Sequence, residues 1–449
     1  MQRTLLRFIL TTLIGFATGA AVRAATNWPQ YRGPSASGLD ESAELPTTWN
    51  VTTGENIRWQ TPIPGLAHAS PIVWGDRVFV ATAVKPGKSD LKVGLYGDID
   101  SVNENEVHQW RLLALDKATG KVVWDTVGCE GIPKVKRHTK SSHCNSTPAT
   151  DGHHIVTIFG SEGLFCFDMG GKLVWKKDLG PMDAGYFDVP SAQWGFASSP
   201  VIHDGKVIVL CDVQKGSFLA AFDLADGREL WRTPRRDVPT WGTPTVVTAA
   251  GRTQVVANGW HHIGGYDFAT GKELWKLDGG GDIPVPTPIF ADGLLFITSA
   301  HGKVRPMRAI RPEASGDITP ENAGATNTAI AWAYARQGNY MQTPLAVGGS
   351  LYACFDIGVL TCFDTKTGVI RYGERLSKIG EGFTPSPVSD GRHLYFTSEL
   401  GNVYVVPTDG KFSITATNTM EETVMSTPAI SEGMLLFRTR EKLVAIGAK

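Results

Sequence analysis

The segments just before the Ser-Pro and Thr-Pro pairs of this chain carry side chains that could bind an organic ligand. Lys140 or His143 could neutralise a carboxylate, and Trp194 or Trp241 could stack against a planar ring. Cations, amides and indoles that converge on a concave surface suit a planar or anionic organic ligand. The predicted ligand-binding residues are His68, Lys140, His143, Asn145, Trp194, Trp241 and Tyr340.

These residues also have structural explanations. Packing between repeat units would account for Trp194 and Trp241 as well as ligand contact would, and His143 could be an ordinary hydrogen-bonded loop histidine. No G-x-S-x-G elbow, phosphate-binding Gly loop or acid–base carboxylate pair stands in a convincing setting. We therefore predict no catalytic residues.

The cysteines indicate thiols or one disulfide rather than a metal site. Cys129 and Cys144 lie in one irregular segment, and a bridge between them would stabilise the fold by about 3 kcal/mol. Together with His138 and His143 they offer metal-ligand types, but no C-x-x-C or compact His pair fixes a geometry, so no metal site is predicted. The remaining four occur in apolar strand patterns and are predicted to be buried free thiols: Cys166, Cys211, Cys354 and Cys362.

The elements that position these residues come from an internal repeat. A Ser-Pro or Thr-Pro pair followed by a small apolar run occurs eight times, with a basic unit of about 42 residues and occasional insertions. The prolines are Pro71, Pro148, Pro200, Pro244, Pro288, Pro344, Pro387 and Pro428. Each unit contains four short strand patterns and no convincing helix.

The third and fourth strands of a unit flank a second signature, which ends in an aromatic residue. It reads ALDKATGKVVW at Ala114–Trp124 and AFDLADGRELW at Ala221–Trp231. The Asp opens a turn, the Gly supplies a positive φ, and the terminal indole can cover a neighbouring unit. The predicted docking residues are Trp59, Trp124, Trp175, Trp231, Trp275, Trp332 and Tyr372.

These repeats predict an all-β fold, an eight-bladed β-propeller of four-stranded antiparallel blades. A β-solenoid is the alternative, but its repeats are much shorter. The Ser/Thr-Pro strand should be innermost. The last unit lacks an outer strand, which residues 56–59 near the N-terminus should supply to close the ring. The propeller is assigned to residues 49–449, after an N-terminal arm at 25–48.

Residues 1–24 have the pattern of a cleaved signal peptide. Arg3 and Arg7 precede an apolar run that is shorter than a membrane span, and Val22-Arg23-Ala24 resembles a cleavage site. A membrane anchor is the alternative. No cysteine follows that could carry a lipid anchor, so the protein is predicted to be periplasmic or secreted, without a membrane span after cleavage.

The turn signature resembles the tryptophan-docking motif of the pyrroloquinoline-quinone (PQQ) repeat propellers. Trp28-Pro29-Gln30-Tyr31-Arg32-Gly33-Pro34 is similar to the start of secreted bacterial members, often labelled after the outer-membrane assembly propeller lipoprotein. We predict a non-catalytic binding or scaffold protein that uses the face bearing the insertions to bind a protein partner, an envelope polymer or a small molecule. No cofactor is expected on this hypothesis.

The alternative is a quinoprotein dehydrogenase, which would oxidise an alcohol or sugar with PQQ and calcium. The resemblance places the cofactor of such enzymes between a vicinal disulfide and a Trp, and no adjacent cysteines occur here. With 43 basic and 44 acidic residues, the net charge of −1 argues against a nucleic-acid partner. A closed ring hides its own sheet edges, so a monomer is predicted.

Overall fold

The computed structural model describes residues 27–94 and 99–448. The predicted signal peptide, residues 1–24, therefore lies outside the described residues. Within the described ranges, no helical segment has the length and hydropathy that a bilayer crossing requires. Apart from one short 3-10 turn, Pro34–Ala36, the regular elements of this described part of the chain are β-strands.

Eight antiparallel blades form the molecule, which confirms the predicted eight-bladed propeller. The Ser/Thr-Pro strand comes first in each sheet and lies at its inner edge, as predicted. Blades 1 to 4 consist of β2 (Ile72–Trp74), β3 (Arg77–Val84), β5 (His108–Asp116) and β6 (Val122–Gly131); β8 (Ala149–Thr150), β9 (His154–Ile158), β10 (Leu164–Asp168) and β11 (Leu173–Lys177); β12 (Val201–His203), β13 (Lys206–Cys211), β14 (Phe218–Asp223) and β15 (Glu229–Pro234); and β16 (Thr245–Ala249), β17 (Arg252–Ala257), β18 (Ile263–Asp267) and β19 (Glu273–Leu277).

The second half of the ring repeats this pattern. Blades 5 to 8 consist of β20 (Ile289–Ala291), β21 (Leu294–Thr298), β22 (Met307–Ile310) and β24 (Ile330–Tyr334); β25 (Leu345–Val347), β26 (Ser350–Cys354), β27 (Val359–Asp364) and β28 (Ile370–Arg375); β29 (Val388–Ser389), β30 (His393–Thr397), β31 (Asn402–Pro407) and β32 (Ala416–Thr419); and β33 (Ala429–Ser431), β34 (Met434–Arg438), β35 (Lys442–Ile446) and β1 (Ile57–Pro62). Three short strands lie in insertions: β4 (Ser101–Val102), β7 (Arg137–His138) and β23 (Gly316–Asp317).

The first and the last strand of the described chain meet in blade 8, as the sequence predicts. Strand β1 pairs antiparallel with β35, with Ile57 opposite Ile446 and Thr61 opposite Leu443. Their apolar side chains belong to one core cluster that also includes residues of blades 1 and 7. The N-terminal strand therefore both completes a sheet and joins it to its neighbours.

A chain of hydroxyl contacts joins the inner strands. In each contact, the backbone N–H of the Ser or Thr before the proline donates to the hydroxyl of the equivalent residue in the next blade. Ser70 N donates to Thr147 Oγ1 at 2.9 Å, and Thr147 N donates to Ser199 Oγ at 2.9 Å. Seven such links run from Ser70 to Thr427 through Thr147, Ser199, Thr243, Thr287, Thr343 and Ser386. They explain why a hydroxyl residue precedes each repeated proline.

Five of the seven predicted aromatic docking residues donate an indole N–H hydrogen bond to a backbone carbonyl of the next blade. The indole of Trp59 donates to Lys117 O at 2.9 Å and lies against Gly120, where a Cβ atom would approach the ring to 2.5 Å. Gly120 has a φ of 71°, so a glycine is required there for both its conformation and its size. Equivalent indole bonds to the next blade are made by Trp124, Trp175, Trp231 and Trp332.

Trp275 and Tyr372 depart from the predicted arrangement. Trp275 donates to Gln254 Oε1 of its own blade at 2.9 Å and packs with Ala314 and Ile318. The reason is the insertion in blade 5, which replaces the tight turn and places β23 beside β19. Tyr372 lies beside Phe412 with ring centroids 5.8 Å apart, and its hydroxyl has no hydrogen-bond partner among the described residues.

We predict that ring closure depends on β35. Deleting residues 443–449 would remove Leu443, Val444 and Ile446, all buried, and would leave β1 without its partner strand and β34 paired with β33 alone. Three such side chains are worth about 1.5–3 kcal/mol each, so the cooperative thermal transition should be lost or strongly lowered. A deletion of residues 448–449 is the control and should melt like the full chain in calorimetry. An unchanged melting profile for the longer deletion would contradict this closure.

Candidate functional site

A central cavity of about 690 Å³ is the candidate functional site. The inner-strand hydroxyl residues form part of its wall, and Tyr31 of the N-terminal arm also lines it. The Tyr31 hydroxyl lies 3.1 Å from Ser386 Oγ. The buried Arg32 donates to the carbonyls of Pro344 and Pro387, at 3.0 and 2.8 Å. The arm is thereby fixed beneath the inner strands of blades 6 and 7, at one end of the cavity.

Aromatic rings line the cavity at the blade connections. Tyr186 stacks on Trp194 with centroids 5.3 Å apart and an interplanar angle of 12°, and Trp194 lies 5.7 Å from Trp241. Trp194 donates its indole N–H to Ile99 O, and Trp241 donates to Gly195 O. Since both polar edges are satisfied by backbone carbonyls, the rings are held in fixed positions. Both predicted Trp residues thus pack on protein groups and line the cavity.

A second aromatic pair lies on the side of blades 5 and 6. Tyr340, one of the predicted residues, stacks with His301 at a centroid distance of 5.9 Å, and both line the cavity. Asp282 Oδ1 lies 2.6 Å from His301 Nδ1 and orients that ring. Burial raises the pKa of Tyr340 to about 12, so its hydroxyl stays protonated at neutral pH.

Three other predicted residues also line the cavity, but protein groups already bind them. Lys140 Nζ lies 2.6 Å from Glu399 Oε1 and donates to Gly94 O at 2.7 Å. Asn145 donates to Ser141 Oγ, Ser142 O and Phe196 O, which fixes the loop before blade 2. His68 Nε2 lies 3.1 Å from Lys140 O, and burial lowers the pKa of His68 to about 4. His68 is therefore neutral at physiological pH.

The structure adds two charged residues that sequence reasoning missed. Arg305 and Asp356 line the cavity, and Arg305 is exposed, with no ion-pair partner within 27–94 and 99–448. Burial raises the pKa of Asp356, and the nearby positive charge of Arg305 opposes this rise. Neither residue belongs to a recognisable motif, because each follows a strand of a different blade. An arginine without an ion-pair partner among the described residues has a guanidinium group that can accept an acidic group as its partner.

His143 does not line the cavity, which corrects its predicted role. It is buried beside Glu104 and His108, with its Nε2 atom 3.3 Å from Glu104 Oε2. Glu104 comes from the insertion between β3 and β5, and His108 is the first residue of β5, so no repeat pattern could relate them to His143. Cys129 and Cys144 are free thiols, so the possible disulfide is not formed. The other four cysteines are free and buried, as predicted.

Residues 85–94, here called the strap, extend from blade 1 over the ends of blades 7 and 8. Arg440 donates to Ser89 O at 2.9 Å, and Gly94 N donates to Glu399 Oε2 at 2.9 Å. Arg137 Nη2 donates to Asp90 O at 2.8 Å. The strap is therefore attached to the cavity side of the propeller mainly by polar contacts.

This arrangement defines an eight-bladed PQQ-like propeller with a lined central cavity. The model of the family named outer membrane protein assembly factor BamB matches residues 44–177 and 161–414, and the chain belongs to this family of PQQ-like propellers. The matched residues include all strands of blades 1 to 6, β29 to β31 of blade 7, and β1 of blade 8.

Two curated relatives match part of the chain. Tetrathionate hydrolase of Acidithiobacillus ferrooxidans is 26% identical over 265 residues, which are 56% of this chain and 45% of the relative. The chain thus matches less than half the length of that protein. Outer membrane protein assembly factor BamB of Shewanella oneidensis is 22% identical over 299 residues, 65% of this chain and 70% of the relative.

Solved structures show the same fold at low identity. BamB from Moraxella catarrhalis superposes with a TM-score of 0.54 and 13% identity, covering 82% of this chain and 100% of the other. A europium-containing methanol dehydrogenase superposes with a TM-score of 0.51 and 11% identity, covering 94% of this chain and 89% of the other. At these identities the likeness concerns the fold alone.

We predict that Glu399 holds the strap in place. Glu399→Ala would remove the acceptor of the Gly94 N–H and the carboxylate that pairs with Lys140, at a cost of about 1–3 kcal/mol. Amide hydrogen exchange of residues 85–94 should accelerate by about 10- to 100-fold. Glu432→Ala, which removes an exposed carboxylate paired with Lys117, is the control. Unchanged exchange in the strap of the Glu399 variant would contradict this role.

Proposed function

We propose that this protein is a non-catalytic binding protein whose cavity takes a planar aromatic small molecule bearing an acidic group. The observation that carries the proposal is the aromatic wall of Tyr186, Trp194 and Trp241, which shares one cavity with the unpaired Arg305. Stacking would hold the ring system, and the guanidinium would bind the acidic group.

The dimensions of the cavity favour a small molecule over a polymer. About 690 Å³ falls within the usual range of roughly 300–1,000 Å³ for sites of drug-sized ligands. Tyr31 and Arg32 fix the N-terminal arm across the inner strands of blades 6 and 7. Because the arm stands in the way of a threaded strand, the envelope polymer and the extended protein segment are the weaker hypotheses for this cavity.

The charges support a ligand with one acidic group rather than several. Lys140 is already neutralised by Glu399, which leaves Arg305 as the available cation among the lining residues that the structure describes. Asp356 lies on the same wall and can accept a hydrogen bond from a ligand hydroxyl or N–H group. Within the described part of the cavity wall, a ligand with several carboxylates would meet the free cation of Arg305 and the acidic Asp356.

The quinoprotein alternative finds little support in the residues that line the cavity. A calcium ion takes six to eight oxygen ligands, whereas the lining residues include one carboxylate, that of Asp356, and one side-chain amide, that of Asn145. Asn145 Oδ1 already accepts from the Ser142 N–H and hydroxyl. The residues present do not fit a calcium–PQQ pair, and we derive no redox chemistry from the fold.

A location in the cell envelope or outside the cell is part of the same proposal. It is supported by the signal-like sequence of residues 1–24 and by the match to proteins named for outer membrane assembly. A protein partner on the face that bears the insertions, the absence of a nucleic-acid partner and a monomeric state stay predictions.

Fluorescence titration with anthraquinone sulfonate, a planar aromatic anion, tests the proposal. We expect saturable quenching of tryptophan emission with one site per chain. Arg305→Gln should weaken binding by about tenfold, because one charge-assisted hydrogen bond is lost, and Trp241→Leu should weaken it by a similar factor. Arg58→Gln, an exposed arginine on the outer strand β1, is the matched control and should bind normally.

Two results would overturn this function. Quenching that never saturates, or that is insensitive to both cavity variants, would exclude the cavity as the site. Saturable binding of PQQ with Ca²⁺, accompanied by dye-linked oxidation of an alcohol, would establish the enzyme instead of the binding protein.

A further inference from the structure

A cluster of three buried ligand-type side chains lies beside the cavity and outside its lining. Glu104, His108 and His143 each offer one atom, and these atoms lie within 4.8 Å of one another. The exposed fraction of the three side chains is 7%, 2% and 6%. Ser141 and Asn145, on either side of His143 in the chain, line the cavity, so the cluster lies directly behind its wall.

The two imidazoles present unused nitrogen atoms to the same carboxylate oxygen. His108 Nε2 is 3.9 Å and His143 Nε2 is 3.3 Å from Glu104 Oε2. Both nitrogen atoms are buried and make no hydrogen bond with the described residues. Two polar atoms left without a partner in such a position are rare, and each needs an explanation.

The hydrogen bond on the other side of His108 defines which nitrogen is available. His108 Nδ1 lies 2.9 Å from the carbonyl oxygen of Glu106, which can only accept, so Nδ1 carries the proton. In the neutral ring, Nε2 then presents a lone pair toward Glu104. A backbone carbonyl that holds the far N–H is the usual support of a metal-binding histidine.

The two distances from the imidazole nitrogens to Glu104 Oε2 are close to those in a tetrahedral site. Zn–N and Zn–O bonds of about 2.0–2.2 Å place neighbouring ligand atoms roughly 3.3–3.5 Å apart. The distance from His143 Nε2 to Glu104 Oε2 already matches, at 3.3 Å, and the 3.9 Å distance of His108 requires a movement of only about 0.5 Å. A cation between the lone pair of His108 Nε2 and the carboxylate of Glu104 would also remove the electrostatic repulsion between them.

Glu104 keeps a free direction for such an ion. Arg137 donates to both carboxylate oxygens, each at 2.8 Å, and Lys85 Nζ lies 3.9 Å from Oε1. Each carboxylate oxygen has two lone pairs, so Oε2 can accept from Arg137 Nε and still bind a metal ion. The two cations lower the affinity for a doubly charged ion, which favours metals that bind imidazole strongly over calcium or magnesium.

We infer that His108 Nε2, His143 Nε2 and Glu104 Oε2 form a site for a divalent transition metal ion of the zinc class. The fourth position is open to water. The ion would join the insertion that follows the strap to the loop before blade 2, and would fix both behind the cavity wall. This inference is independent of the proposed ligand in the cavity.

The test uses the full chain prepared without a histidine tag, stripped with dipicolinate and dialysed against Zn²⁺. We expect one zinc per chain by plasma mass spectrometry. His143→Gln should weaken zinc binding by about 100-fold or more in competition with a chromophoric chelator, since even outer-shell losses cost 10- to 100-fold. His153→Asn, an exposed histidine on the same propeller, is the matched control and should retain full affinity.

X-ray absorption of the zinc-loaded wild type keeps the test decisive if the variant does not fold. We expect a first shell of two imidazole nitrogens with oxygen ligands and no sulfur. Substoichiometric zinc, an unchanged affinity in folded His143→Gln, or a first shell containing sulfur or lacking imidazole would each overturn the inference.

Discussion

The hydroxyl links between inner strands are the interaction on which the rest of the molecule depends. The innermost strand of each blade has no fifth strand beside it, so its backbone N–H groups near the cavity need other acceptors. In seven links, the hydroxyl group of the Ser or Thr before the proline meets this need by accepting a hydrogen bond from a backbone N–H of the preceding blade, at 2.9–3.3 Å. The proline that follows lacks an N–H group and leaves no further donor at that position. The repeated Ser/Thr-Pro pair thus joins neighbouring blades and also supplies the hydroxyl groups of the cavity wall.

The same regularity explains how far the sequence predicts the structure. Features that recur with the repeat could be derived: the number of blades, the inner strand, the shared blade 8 and the aromatic contacts of Trp59 and four others. The predicted contact of Trp275 with the next blade was wrong, because an insertion replaces the tight turn of blade 5 and packs on the indole. The repeat predicts a residue's partner only where the neighbouring repeat is intact.

The candidate site was predicted less completely, because its specific parts lie in insertions. Six of the seven proposed ligand-binding residues do line the cavity, since each precedes a blade at the same end of the ring. Their partners were not predictable, however. Lys140 is paired with Glu399, and His143 with Glu104, and in both pairs the acid comes from the connection between the second and third strands of a blade, where the repeat has no pattern. The residue types could therefore be read from the sequence, but whether each charge was free could not.

The strap and the blades differ in how strongly they resist opening. The blades are held by buried apolar clusters, whereas the strap is attached by single bonds to Ser89 O, Asp90 O and the Gly94 N–H, and by the Lys140–Glu399 pair behind it. Segments with few buried apolar contacts open locally at low free energy, without unfolding the domain. The strap can therefore open locally while the hydroxyl links, the aromatic wall and the arm stay in place.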